Sequence, residues 1–131
     1  MPALTVLPFR WYHLEAMDLR DQERAYLAQF DDYLAIAKEQ EKRGPCFTVM
    51  VDGEGLACSY GFVPLWRGVY ECWLITGRLV ERYPLTTIRA SRRAMLRIES
   101  ELQAHRLQMT VNAGVPLSLR FAEALSFAPE G

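Results

Sequence analysis

Six arginines, Arg78, Arg82, Arg89, Arg92, Arg93 and Arg97, stand close together against a single acid, Glu81. Guanidinium groups at this density can bind phosphates, nucleic acid or an acidic protein surface, because each offers a rigid fork of donors that stays charged at physiological pH. The same run also reads as a solvated helix face beside an acidic N-terminal half. Residues 1–65 hold six basic and ten acidic side chains, net −4, whereas residues 66–131 hold nine and six, net +3. Arg89, Arg93 and Arg97 recur at i, i+4 and i+8 with Arg92 beside them. No base-reading motif accompanies them and the whole chain is slightly acidic, so nucleic acid is not the expected partner. Other reactive groups are scattered. His13 and His105 have no cysteine or acid at ligand spacing, which argues against a metal site and against a catalytic triad. Cys46, Cys58 and Cys72 lack CxxC spacing, are odd in number and read as small buried hydrophobes.

The elements that must position these groups follow from periodicity. With 131 residues, half of them hydrophobic and 24% charged, the chain is expected to be one domain, 1–131, able to bury its own core. No window reaches the length of a membrane span and no basic-then-apolar leader opens the sequence, so an intracellular protein without membrane contact is expected. Strand character over 4–9 is followed by a turn of helix near 11–17 and by a helix over 21–43, stopped by Gly44-Pro45. In that helix Ala25, Tyr26, Phe30, Tyr33, Leu34 and Ala37 form one apolar stripe. Residues 46–51 and 56–63 flank Asp52-Gly53-Glu54-Gly55 and predict a hairpin, with Gly61 marking a bulge or a close approach. The loop 64–68 leads into a strand over 69–76, a long helix over 84–105, a strand over 107–112 and a helix over 116–126. Two successive strand–helix units predict neighbouring parallel strands with helical crossovers, hence an α+β mixed sheet with helices on both faces. Function then belongs at the carboxyl edge of those strands. Trp11, Trp66 and Trp73 read as core or interface anchors.

This order resembles the GNAT superfamily of acyl-CoA-dependent N-acyltransferases. Tyr70-Glu71-Cys72-Trp73-Leu74-Ile75-Thr76 is similar to the family's fourth strand, which opens with an acid and then runs apolar. Asn112, the run from Pro116 to Phe127, and Glu130-Gly131 resemble the closing motif. Within the superfamily the sequence looks like the short GNAT-like proteins of tailed phages, of the internal virion protein type. The features that carry this likeness are the Asp52-Gly53 turn, Pro64-Leu65-Trp66-Arg67-Gly68, Trp73-Leu74-Ile75-Thr76 and Ser118-Leu119-Arg120-Phe121.

The resemblance implies Glu71 as general base, with a pairing or solvated role as the other reading. It implies acetyl-CoA, if bound, on Leu74, Ile75, Thr76, Arg78, Arg82, Arg89 and Asn112. Three departures stand against catalysis. Family members hold the CoA pyrophosphate on backbone amides of an Arg/Gln-x-x-Gly-x-Gly/Ala loop, but here Gly77-Arg78-Leu79-Val80-Glu81-Arg82-Tyr83-Pro84 lacks those glycines. The tyrosine expected as general acid is replaced by Ala122. The final hairpin that many family members carry beyond Glu-Gly is expected to be missing after Glu130-Gly131, and the uncovered sheet edge would recruit partners. The expectation is therefore a phage-type GNAT-like domain without acetyltransferase machinery and without a cofactor. It would serve in the virion or its assembly through self-association or other phage proteins, in the host cytoplasm or the particle. The alternative is an active acetyl-CoA-dependent N-acetyltransferase with an arginine-based phosphate grip.

Overall fold

Five strands form one sheet in the order β1-β2-β3-β4-β5, in a computed structural model that describes residues 2–110 with Ala122, Glu123, Leu125 and Phe127. They are β1 (Leu4–Pro8), β2 (Cys46–Val51), β3 (Gly55–Trp66), β4 (Val69–Thr76) and β5 (Arg106–Met109). The first four pair antiparallel, and β5 joins β4 in parallel from Val69↔Arg106 to Cys72↔Met109. The expected mixed sheet is present. A helical crossover, α4 (Leu79–Arg82) followed by α5 (Pro84–Leu102), separates the parallel pair. Pro84 sits at the first turn of α5, where its missing N–H costs nothing, and Gln103 closes the helix in the left-handed conformation.

Period-two alternation divides the sheet's side chains between two cores. On one face Val49, Val51, Cys58, Tyr60, Phe62 and Cys72 meet Ala94, Met95 and Ile98 of α5. On the other, Phe9 and Ile75 meet Leu14 of α1 (His13–Ala16), Leu27 of α2 (Asp21–Leu27) and Ala37 of α3 (Tyr33–Arg43). Helices therefore cover both faces.

Several expectations need correction. The helix expected over 21–43 is two helices. Asp32 accepts the Ala35 N–H at 3.1 Å and starts α3 as an N-cap, so local side-chain bonding breaks a continuous apolar pattern. The apolar stripe divides accordingly: Ala37 is buried, whereas Tyr26 and Phe30 are exposed. The loop expected over 64–68 shrinks to Arg67-Gly68, because β3 runs on to Trp66 and takes a register shift between Pro64 and Trp66. Gly61 carries no bulge. The shifts lie elsewhere, and a Cβ at Gly61 would run into the Trp73 indole, so a side chain makes the close approach. The α5 helix stops three residues before His105, and β5 begins one residue early. Asn112, most of the helix expected over 116–126 and the ending at Glu130-Gly131 lie outside the described residues.

Candidate functional site

The carboxyl edge of β4 carries a groove of about 530 Å³, bounded by α2, α3, β4 from Glu71 to Thr76, and Met109 and Thr110 at the end of β5. Its walls are apolar and aromatic, with Tyr26, Phe30, Tyr33 and Trp73 among them. Gln22, Gln29 and Gln40 add amides to its lining, and hydrogen bonds fix polar groups at two points. Glu71 takes hydrogen bonds from Gln108 Nε2 at 2.9 Å and Thr110 Oγ1 at 3.1 Å, which fixes its carboxylate at the β4–β5 seam. The second point is Thr76, the last residue of β4.

At Thr76 three side chains converge. Glu23 on α2 accepts the Thr76 N–H at 3.0 Å and its hydroxyl at 2.9 Å, and Arg20 Nη1 donates to the same hydroxyl oxygen at 3.0 Å. Arg20 is almost fully buried and reaches Glu81 on α4 through Nε at 2.9 Å. Burial pushes the Glu23 carboxyl above its ordinary value, against the lowering pull of the Thr76 bonds and of Arg20. Sequence reading missed Glu23 and Arg20. Both sit at the polar start of α2, more than fifty residues from Thr76, and backbone contacts such as the bridge of Leu19 to Gly77 and the Arg78 N–H bond to Asp18 bring the two segments together.

The expected site residues fall into separate places. Leu74, Ile75 and Thr76 line the groove with Glu71. Arg78 lies beyond it, ion-paired with Asp21 at 2.7 Å and Asp18 at 3.3 Å. Arg82 pairs with Glu54 at 2.8 Å across the β2–β3 turn. Arg89 is exposed on α5. The structure thus divides the six arginines: Arg78 and Arg82 bond to acids of the N-terminal half, and Arg97 pairs weakly with Glu101 at 3.9 Å.

The segment after β4 is closed on itself. Gly77 N–H donates to Ala57 at 2.7 Å and Arg78 N–H to Asp18 at 2.8 Å. The amides of Val80, Glu81, Arg82 and Tyr83 donate to carbonyls of Gly77, Arg78, Arg78 and Leu79, winding α4 as a single turn. The Tyr83 hydroxyl bonds to Glu54 as well. Among the described residues no His, Cys, Asp and Glu cluster could hold a metal ion, and no helix is long and apolar enough to cross a membrane.

Comparison with solved structures gives the architecture a family context. An acetyltransferase of the GNAT family from Bacillus anthracis superposes with a TM-score of 0.73 at 18% identity, covering 100% of this chain and 84% of that one. The GNAT architecture is the fold of this chain. A spermidine N-acetyltransferase chimera from Vibrio cholerae and hSSAT gives 0.67 at 17% identity, covering 98% and 82%. An acetyltransferase from Trypanosoma brucei gives 0.59 at 15%, covering 98% and 95%. Neither a family model nor a curated protein matches the sequence. At these identities the likeness fixes the GNAT fold, and the chemistry has to be argued from the residues. In GNAT terms the groove lies at the carboxyl edge of the fourth strand, and Gly77 to Tyr83 form the connection to the following helix.

Proposed function

We propose that this chain is a phage-type GNAT-fold domain that works by docking to protein partners in the virion or its assembly, and not by transferring an acyl group from CoA. One observation carries this reading. The amides of Gly77, Arg78, Val80, Glu81, Arg82 and Tyr83 already donate within the chain. A pyrophosphate needs such amides free and convergent at a helix start. Here ligand binding would have to break those bonds and the Arg78 and Arg82 ion pairs together. Aromatic side chains left open in the groove suit a binding role. The sequence likeness to tailed-phage proteins supplies the setting.

A thermal-shift titration with acetyl-CoA tests it. Ligand at about 100 times its dissociation constant stabilises a fold by about 2.7 kcal/mol, a readily visible shift. The expected result is no saturable shift at millimolar acetyl-CoA, with the protein found in purified particles by immunoblot. A saturable shift that Arg89→Ala weakens would overturn it.

The second reading is an acyl-CoA N-acyltransferase with Glu71 as base. It is favoured by the position of Glu71 on the groove wall, where Gln108 and Thr110 hold its carboxylate. Amine-dependent release of free CoA thiol, lost in Glu71→Gln, would establish it.

A further inference from the structure

Two surfaces on opposite sides of the sheet complement one another. The outer face of α5 presents Leu85 and Leu96, 65% and 66% exposed, with Arg89, Arg92 and Arg93 exposed between them. Positions 85, 89, 92, 93 and 96 share one side of a helix, because three- and four-residue steps return to the same face. Leu85 and Leu96 are about 16 Å apart along the axis at 1.5 Å per residue. Unlike Arg78 and Arg82, which bond to acids of the N-terminal half, these three guanidiniums form no ion pair among the described residues. Like charges at i, i+3 and i+4 oppose helix formation, and among the described residues no ion pair offsets that cost.

The other surface flanks the groove. Tyr26, Phe30 and Ile36 are exposed there, and Asp31 and Asp32 lie beside them in the turn between α2 and α3. Glu71 stands deeper in the same groove. The basic surface belongs to the helix that covers the Val49 and Tyr60 core, and the acidic one to helices that cover the Phe9 and Ile75 core. They therefore point away from each other.

We propose that the occupant of the groove is a second copy of this chain, seated through the outer face of its α5. Leu85 and Leu96 enter between the exposed aromatic side chains, and Arg89, Arg92 and Arg93 meet Asp31 and Asp32. The pairing is head to tail. A two-fold arrangement would set the same face against itself and bring arginine onto arginine, whereas a heterologous contact joins unlike faces. A docked pair leaves one free face of each kind, so assembly continues beyond a dimer. A nucleic-acid ligand for the arginines is the competing occupant, disfavoured by the two exposed leucines that bracket them. The proposal rests on the reading of this chain as a docking domain, but the acetyl-CoA titration tests that reading separately.

Sedimentation velocity on the intact chain is the test. At low salt the weight-average mass should rise with concentration, and added salt should reverse the rise because exposed charges are screened. Arg89→Glu with Arg93→Glu, and separately Asp31→Lys, should each weaken self-association by more than about tenfold. Circular dichroism checks that both variants fold. Mixing the two must restore association, since each variant keeps one intact face that fits the intact face of the other. A chain that stays monomeric at every concentration in low salt overturns the proposal. So does assembly indifferent to both reversals, and so does duplex DNA binding lost in the arginine variant of a chain that does not self-associate. If self-association fails and acetyl-CoA still gives no shift, the docking reading stands with a different partner.

Discussion

The carboxylate of Glu23 accepts both the backbone N–H and the hydroxyl of Thr76, at 3.0 and 2.9 Å, and so ties α2 to the last residue of β4. Because this carboxyl is held above its ordinary value by burial, the folded state binds its proton more tightly than the unfolded chain does. Its contribution to stability is full below pH 4.5 and is lost as pH rises through the folded pKa. Thermal melts across that range should show this falling limb, and Glu23→Gln, which keeps an acceptor but cannot titrate, should remove it. Glu23→Ala should cost about 1–3 kcal/mol in urea titration, since it leaves the Thr76 donors without an acceptor.

His13 has the opposite sign. Its Nδ1 accepts the Arg10 N–H at 3.1 Å and lies 2.7 Å from Thr48 Oγ1, which in turn meets Ser59 Oγ at 2.9 Å. An accepting Nδ1 makes Thr48 the donor. Burial, aided by the nearby Arg10 charge, lowers the His13 pKa below 6.5. Protonation then favours the unfolded chain. Stability is full above pH 6.5 and falls as pH drops through the folded pKa. His13→Phe should flatten that limb of the melting curve and leave the Glu23 limb in place.

Gly61 faces the Trp73 indole, and any Cβ there would overlap the ring. Gly61→Ala is expected to destabilise by about 1–3 kcal/mol through overpacking. The loss should shrink in a Trp73→Leu background, and a double-mutant cycle measures the coupling. Additive losses would show that the clash is relieved elsewhere.

Burial pushes the thiols of Cys58 and Cys72 up to about 12. Thiolate is the reactive form, so neither should react with a disulfide reagent in the native protein at neutral pH. Labelling should appear only as the chain unfolds, and rapid native labelling of Cys58 would contradict the packing of β3 against α5.

Local chemistry in the sequence was enough for much of the fold. The Asp52-Gly53 turn, Pro84 at a helix start and the alternation through β4 gave the strands, the long helix and the parallel pair that follows, because each depends on neighbours within a few residues. The break of the first long helix at Asp32 was less legible, since an apolar stripe and a capping aspartate compete there and the cap prevails. Glu71, Leu74, Ile75 and Thr76 could be placed at one strand edge by order alone. Tertiary structure decided the partners of the arginines. Arg78 reaches Asp21, Arg82 reaches Glu54, and Arg89 reaches neither, because pairing depends on which surfaces packing brings within about 4 Å, and charge spacing along the chain does not encode that. The same reason hid Glu23 and Arg20 from sequence reading: their roles exist only once α2 lies across the end of β4.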